Sequence, residues 1–198
     1  MRRKGSYVDG KGVNVEEEKF RKELLEYGKR YPEEESVVQY FLKCLNLSDK
    51  NVFFRENDRF HITASAWMLD PARQYVFLIH HRKLNKLIQP GGHCERSDTS
   101  VRMAALREAR EESGMNSIRV ADEGIYYLGI HNIAANKTER EHLHLDVCYV
   151  FFADRQQPFS CSRESRTANW YKLDSLVKGG IEDGDLQRMI KRECVVLQ

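Results

Sequence analysis

Three glutamates with helical spacing are the most informative feature of the chain. Glu108, Glu111 and Glu112 occupy positions i, i+3 and i+4 and would share one face of a helix. Gly114 is typical of the position just after a helix end, so these like charges would also oppose the helix dipole. The arrangement costs stability, but it supplies the oxygen ligands that a hard divalent cation requires. A bare run of this kind could equally be a solvated helix face, so the surrounding residues must decide.

The residues before the glutamates predict the elements that position them. A short segment, 86–89, leads into the pair Gly91 and Gly92 and is typical of a strand followed by a tight turn. Residues 98–100, Asp-Thr-Ser, form an N-cap cluster. The helix that follows carries an apolar stripe that would pack on a sheet, formed by Met103, Ala104, Ala105, Leu106 and Ala109. The chain therefore runs from strand to turn, loop, helix and acidic cluster.

This order of residues resembles the box of the Nudix hydrolase family (MutT-like pyrophosphohydrolases), G-x5-E-x7-R-E-U-x-E-E-x-G-U, in which U is apolar. The second half of the box is complete, from Arg107 to Met115. The first half departs from the pattern, because Asp98 stands where the family has glutamate and eight residues rather than seven separate it from Arg107. We expect the extra residue to be absorbed in the loop or at the helix start. The departure bears on Asp98 and not on the three glutamates.

The resemblance implies hydrolysis of a nucleoside diphosphate linked to another moiety, X, with Mg²⁺ or Mn²⁺ as cofactor. Divalent cations offset the negative charge of a pyrophosphate, which otherwise repels an attacking water. The expected metal ligands are Glu108, Glu111 and Glu112, with the carbonyl oxygen of Gly92 as a further ligand. Arg107 is expected to orient a box glutamate through a charge-assisted pair, as the family's arginine does.

The general base is left open between two groups of glutamates. It could be a box residue, Glu108 or Glu111. In some relatives it is a glutamate from a later loop, and Glu139, Glu141 and Glu164 lie in segments that the sequence predicts to be loops. None of the three has a distinguishing signature.

A second polar group lies on the predicted strand 142–152. Polar and apolar residues alternate along it, which places His142, His144 and Asp146 on one face. Such a face could hold zinc as His-x-His-x-Asp, line the substrate cleft, or be solvated. We favour cleft lining beside the box helix, because no fourth zinc ligand is evident and the opposite face is apolar.

Two other residues complete the predicted substrate-binding set. Arg82 follows the apolar strand 75–79 and could bind a phosphate through two hydrogen bonds, although a solvated turn is an equal alternative. His93 directly follows the Gly-Gly turn. We therefore expect substrate contacts from Arg82, His93, His144 and Asp146.

The order of elements predicts an α+β fold, and the resemblance implies an α/β/α sandwich with a mixed β-sheet. Residues 1–13 are expected to be a flexible tail, 14–50 to form an N-terminal extension of two packed helices, the second opened by Pro32, and 51–198 to form the Nudix domain. A C-terminal helix is predicted over 185–194. Strands are predicted at 61–69, 75–79, 86–89, 117–120, 125–134, 142–152 and 169–173.

Composition limits the classes of function. The chain has 32 basic and 30 acidic residues and a formal net charge of +2, so no basic field predicts nucleic-acid binding. No apolar run approaches a membrane span. Five scattered cysteines without a C-x-x-C pair indicate free thiols in a reducing cytoplasm. We expect a nucleotide-type small molecule as partner, and the N-terminal helices could serve as a lid, a packing support or the surface of a homodimer.

An active pyrophosphohydrolase is the favoured hypothesis, because a domain that only binds need not retain all three glutamates. The alternative is a catalytically silent Nudix domain that binds a nucleotide as a sensor or regulator. A third class, a module that binds nucleic acid or a partner through its N-terminal helices, is disfavoured by the near-neutral charge. The box handles only the pyrophosphate and does not identify X.

Overall fold

The computed structural model describes residues 15–179, 181 and 183–196, and the predicted tail at 1–13 lies outside this range. The predicted α+β class with a mixed sheet is confirmed. The elements in chain order are α1 Val15–Arg30, a 3-10 turn Pro32–Glu34, α2 Glu35–Leu47, β1 Phe60–Leu69, β2 Tyr75–His81, β3 Lys86–Ile88, β4 Gly91–His93, α3 Val101–Ser113, β5 Ile118–Val120, β6 Tyr127–Ile133, β7 His142–Ala153, β8 Ser165–Lys172, α4 Leu173–Lys178 and α5 Gly184–Val196.

Strand β1 organises the eight-stranded sheet. It runs parallel to β7 along its whole length and antiparallel to two shorter partners. One of these, β4, pairs with the segment 63–65, whereas β2 pairs with Met68 and Leu69. Strands β5 and β6 pair with β7, and β3 and β8 pair with β2. The change of partner along β1 leaves β4, and the loop into α3, beside the middle of the sheet.

Helices cover both faces of the sheet. Successive residues of β1 point to opposite sides, so alternate residues belong to two different hydrophobic cores. Ile62, Ala64 and Ala66 belong to the hydrophobic core that includes α1, α2 and α3. Trp67 and Leu69 belong to the core formed with α4 and α5. The α/β/α sandwich implied by the family resemblance is therefore present.

The two N-terminal helices are ordered and packed, as predicted from their apolar stripes. Leu24 of α1 and Phe41 of α2 are almost completely buried in the core that also holds α3. Glu23 accepts a hydrogen bond of 2.8 Å from the hydroxyl of Tyr149 on β7. One detail of the prediction is wrong, because Pro32 opens a 3-10 turn and α2 begins only at Glu35. The boundary between extension and domain at residue 51, and the dimer, stay predictions.

Two further features bear on cellular context. Within the described part of the chain, no helix is both long and apolar enough to cross a membrane. All five cysteines lie in that part, and each is a free thiol.

Candidate active site

Helix α3 begins and ends where the sequence predicts. The Ser100 hydroxyl caps its start by accepting a hydrogen bond of 3.2 Å from the Met103 N–H. Gly114 follows its end with a φ of 69°, which suits glycine, and donates its N–H to the Arg110 carbonyl. Because α3 starts only at Val101, Asp98 lies in the loop before the helix, which is where the extra residue is accommodated.

Glu112 is the most enclosed carboxylate of the box. Its side chain reaches Gly91, which with Gly92 forms the start of strand β4 and not the predicted tight turn. Glu112 accepts a hydrogen bond of 3.0 Å from the Gly91 N–H, while the Ser162 hydroxyl lies 3.4 Å from its other oxygen. Burial, followed by the negative charges of Glu108 and Glu164, raises the pKa of Glu112 to about 7. The fold therefore holds an acidic group where ionisation is unfavourable without a nearby cation.

Glu108 lies against Gly92, the second glycine of β4. A Cβ added at Gly92 would lie 2.5 Å from Oε1 of Glu108, so the absence of a side chain at this position makes room for the carboxylate. Burial also raises the pKa of Glu108. Glu111, in contrast, has a side chain that is 57% exposed. Glu108 and Glu112 thus converge on the two glycines of β4, and Glu111 is the exposed member of the three.

Arg107 links the glutamates to the loop before the helix. Its Nη1 donates to Glu108 at 2.8 Å and to Glu111 at 3.3 Å, so the predicted contact with a box glutamate is present. Its Nε and Nη2 donate to the two oxygens of Asp98 at 3.1 and 3.0 Å, and Nη2 also donates to the His93 carbonyl at 2.8 Å. The hydrogen bonds that Arg107 donates to Asp98, followed by the one that it donates to Glu108, raise the pKa of Arg107 above its usual range. The guanidinium is therefore held in one orientation.

The loop before β8 contacts both Arg82 and the carboxylate of Glu112. The Arg82 Nε donates to the Arg163 carbonyl at 3.0 Å, and the Arg82 N–H donates to the Glu164 carbonyl at 2.9 Å. The Ser162 hydroxyl of the same loop lies near Glu112. Arg82 is therefore brought to the side of the molecule that holds the carboxylates.

The three loop glutamates named by the sequence differ in their surroundings. The negative charge of Glu164 contributes to the raised pKa values of both Glu108 and Glu112. Glu139 instead pairs with Arg55 at 3.1 Å, and Glu141 accepts a hydrogen bond from Asn132 at 2.8 Å. The charge of Glu164 therefore acts on the box carboxylates.

The polar face of β7 does not lie beside the box helix, and that prediction is wrong. The parallel register pairs His61 with His144 and Thr63 with Asp146, which places all four on one face of the sheet. Helix α3 packs on the other face, against residues that include Leu145. The reason is that the apolar stripe of α3 requires an apolar sheet surface, so the polar residues of β7 must point away from it.

Asp146 is fixed by hydroxyl groups of β1. Thr63 Oγ1 donates to one oxygen at 2.9 Å and Ser65 Oγ to the other at 2.6 Å. Burial raises the pKa of Asp146. Both oxygens are thus engaged within the protein, and a contact of Asp146 with substrate stays a prediction.

The predicted substrate-binding residues fall into two groups. His93 pairs with Thr63 across β4 and β1, and its ring centroid lies 5.0 Å from that of His144. His93 and His144 therefore share one polar face, apart from Arg82. The ring of His61 also stands beside those of His93 and His144, although the sequence patterns do not indicate His61 as a site residue. The alternation of His, Thr and Ser over residues 61–65 was the signal that could have indicated it.

The chain is similar to known proteins in both its sequence pattern and its fold. The family model of the NUDIX domain matches residues 59–191. The C. elegans Ap4A hydrolase, solved as a binary complex, superposes with a TM-score of 0.52 and 14% identity over 69% of this chain and 96% of that chain. A Nudix hydrolase from M. smegmatis, RenU, gives a TM-score of 0.50 and 17% identity over 76% and 96%. A search of the curated proteins found no significant match. The structural similarities bear on the fold alone.

Proposed function

Because the chain belongs to the Nudix family, we propose that it hydrolyses a pyrophosphate bond in a nucleoside diphosphate linked to a moiety X, by attack of water on phosphorus. The observation that carries this proposal is the convergence of two carboxylates on Gly91 and Gly92 of β4. Glu112 is 7% exposed, and its pKa of about 7 reflects burial beside Glu108 and Glu164. Negative charges this close together and this deeply buried destabilise the folded protein, and a bound cation would offset their repulsion.

The residues present fit a hard divalent cation. Glu108, Glu111 and Glu112, with the Gly92 carbonyl, offer only oxygen donors, the type that Mg²⁺ and Mn²⁺ prefer. When bound, the cation supplies Lewis-acid stabilisation of the charge on the pyrophosphate. The raised pKa of Glu112 supports this assignment, because a positive charge beside the buried carboxylate would favour its ionised form.

The neighbouring residues keep the carboxylates in place. Arg107 donates to Glu108, and Asp98 in turn fixes the plane of the Arg107 guanidinium. The Gly91 N–H orients Glu112. Catalysis of phosphoryl transfer depends mostly on positioning and electrostatics, so these contacts contribute directly to rate.

We assign the general base to Glu164, with Glu108 and Glu111 as the alternatives within the box. The Glu164 side chain is 76% exposed, so water can reach it, and its charge acts on the box carboxylates. It would accept the proton of the attacking water. Arg82, whose backbone and Nε are bonded to the same loop, would contact a phosphate of the substrate.

The nature of X calls for a panel of substrates. Nucleoside triphosphates, ADP-ribose, dinucleoside polyphosphates and sugar nucleotides all contain the required bond, and the likeness to an Ap4A hydrolase supports including the third class. The five free thiols are compatible with a reducing compartment, and we propose that the protein acts in the cytoplasm.

The test is an assay of the purified full chain against this panel, with and without Mg²⁺ or Mn²⁺. We expect turnover of at least one class only when the cation is present. Glu112→Gln should fold normally and lose activity by orders of magnitude. Glu95→Gln, an exposed change in the loop before α3, should fold normally and keep its activity. Nucleotide binding without turnover under every condition would favour the alternative, a silent domain that acts as a sensor or regulator.

A further inference from the structure

Four histidines gather on the face of the sheet opposite the box helix. His61 lies on β1, His93 on β4, and His142 and His144 on β7. The ring centroid of His61 lies 4.8 to 5.0 Å from those of the other three. Residues of three strands thus meet at one end of the parallel pair β1–β7.

The nitrogen atoms of three of these histidines have the spacing of a metal site. One ring nitrogen from each of His61, His142 and His144 lies within 4.8 Å of the others. The Nε2 atoms of His142 and His144 are 3.2 Å apart. Two nitrogens bound to one zinc ion at about 2.0–2.1 Å in tetrahedral geometry are separated by about 3.4 Å. The observed pair therefore needs little movement to share an ion.

Backbone carbonyls fix the protonation of two rings. His61 Nδ1 lies 3.0 Å from the Asn57 carbonyl, and His142 Nδ1 lies 2.8 Å from the Arg140 carbonyl. Because a carbonyl oxygen only accepts, each Nδ1 carries the proton and each Nε2 carries a lone pair. Histidine ligands of metals are oriented in this way in general, through the nitrogen that does not bind the ion.

One of these lone pairs has no partner. His61 is 3% exposed, and its Nε2 makes no hydrogen bond within the described part of the chain. A buried polar atom left unpaired destabilises the fold, so such atoms call for an explanation. A ligand at the centre of the histidine group would satisfy it.

A fourth ring stands beside the three. The ring centroid of His93 lies 5.0 Å from those of His61 and His144, so His93 can supply a fourth nitrogen.

We propose that His61, His142 and His144 form a binding site for a transition-metal ion of the zinc type, distinct from the carboxylate site of the box. The donor atoms separate the two sites, since imidazole nitrogen suits zinc and carboxylate oxygen suits magnesium. Their positions separate them as well, because the Cβ direction at Gly92 points to Glu108 and the next residue, His93, points to the opposite face. The ion would link β1 to β7 at the start of both strands.

The experiment is zinc titration of the untagged, metal-free full chain in excess Mg²⁺, which fills the carboxylate site. We expect one zinc ion per chain by competition with a chromogenic chelator, and a rise in the unfolding temperature on binding. His61→Gln and His144→Gln should weaken zinc binding by more than about 100-fold. His81→Gln, a histidine outside the group, and Glu112→Gln should bind zinc as the wild type does.

A second measurement keeps the proposal testable if the histidine variants fail to fold. Cobalt added to the wild-type chain in excess Mg²⁺ should give the strong visible absorption of a tetrahedral nitrogen site, not the weak absorption of an octahedral oxygen site. Weak absorption, no zinc binding, or zinc binding that is lost in Glu112→Gln but kept in His144→Gln would overturn the proposal. Retention in both variants would place the ion elsewhere, for example on the exposed thiol of Cys161, and would overturn it too.

Discussion

The guanidinium of Arg107 and the carboxylate of Asp98 form a pair joined by two hydrogen bonds, Nε to Oδ1 at 3.1 Å and Nη2 to Oδ2 at 3.0 Å. The third nitrogen of the same guanidinium, Nη1, donates to Glu108. A planar fork held on one side presents its remaining donors in a fixed direction. Asp98, the residue that departs from the box pattern, is therefore joined to Glu108 through Arg107, and we propose that it is a positioning residue.

Asp98→Asn should reduce turnover because the amide of asparagine turns a donor toward a donor of Arg107. We expect kcat to fall about 10- to 100-fold with a smaller change in KM, since positioning affects the reacting state more than substrate affinity. Stability should fall by about 1–3 kcal/mol. Steady-state kinetics and urea unfolding check both effects. Glu95→Gln in the same loop is the control, and an unchanged kcat in Asp98→Asn would refute the positioning role.

Gly92→Ala should disturb Glu108 directly. The added Cβ would lie 2.5 Å from Oε1 of Glu108, a distance at which the carboxylate must move. We expect a loss of activity of at least about tenfold, in line with the effect of small displacements at reacting groups. Gly184→Ala is the matched control, because nothing lies within 4 Å of a Cβ at that position. Equal activity of the two variants would show that Glu108 tolerates displacement.

The elements of the site could be predicted because their signals are local. Ser100 and Gly114 mark the ends of α3 by backbone chemistry that involves only neighbouring residues. The alternation along 142–152 predicts β7, and the buried run over 75–79 predicts β2, for the same reason.

What could not be predicted depends on contacts between distant residues. Alternation shows that His144 and Leu145 point to opposite faces, but not which face receives α3, because that depends on how helix and sheet pack. His61 and His144 become neighbours only through the register of two parallel strands 83 positions apart in sequence. The bond between Asp98 and Arg107 spans a loop whose conformation no periodic pattern describes.

Leu24→Ala should destabilise the protein strongly, because α1 is part of the core. Leu24 has no exposed area, and its removal leaves a cavity beneath the helix. We expect a loss of about 2–5 kcal/mol in the free energy of unfolding. Leu25→Ala is a control of the same residue type on the same helix, and at 49% exposure it should change stability by no more than about 0.5 kcal/mol. Equal effects of the two changes, measured by urea unfolding, would mean that α1 does not pack as described.

A chain that begins near Asn51 should aggregate or lose stability for the same reason. Removing α1 and α2 would expose the sheet-side core that Phe41 and its neighbours cover. Size-exclusion chromatography and thermal unfolding of the shortened chain measure this. A soluble, monomeric and equally stable product would make the two helices an independent appendage.

Glu23→Gln should change the pH dependence of stability. Burial raises the pKa of Glu23 in the folded state above 4.5, although Tyr149 donates a hydrogen bond of 2.8 Å to it. The unfolded chain therefore releases this proton first, and ionisation of Glu23 reduces stability as pH rises through 4.5 and beyond. Glutamine stays neutral and can still accept from the Tyr149 hydroxyl, so the variant should be the more stable protein at pH 7.

The advantage of Glu23→Gln should shrink toward pH 4, where the wild-type carboxyl is protonated in both states. Urea midpoints of variant and wild type at pH 4, 5, 6 and 7 give the difference directly. Glu18→Gln, an exposed change near the start of α1, is the control for the loss of a charge on this helix. A difference that stays constant with pH, or a variant that is less stable at pH 7, would mean that the Glu23 carboxylate is stabilised by Tyr149 and its neighbours more than burial disfavours it.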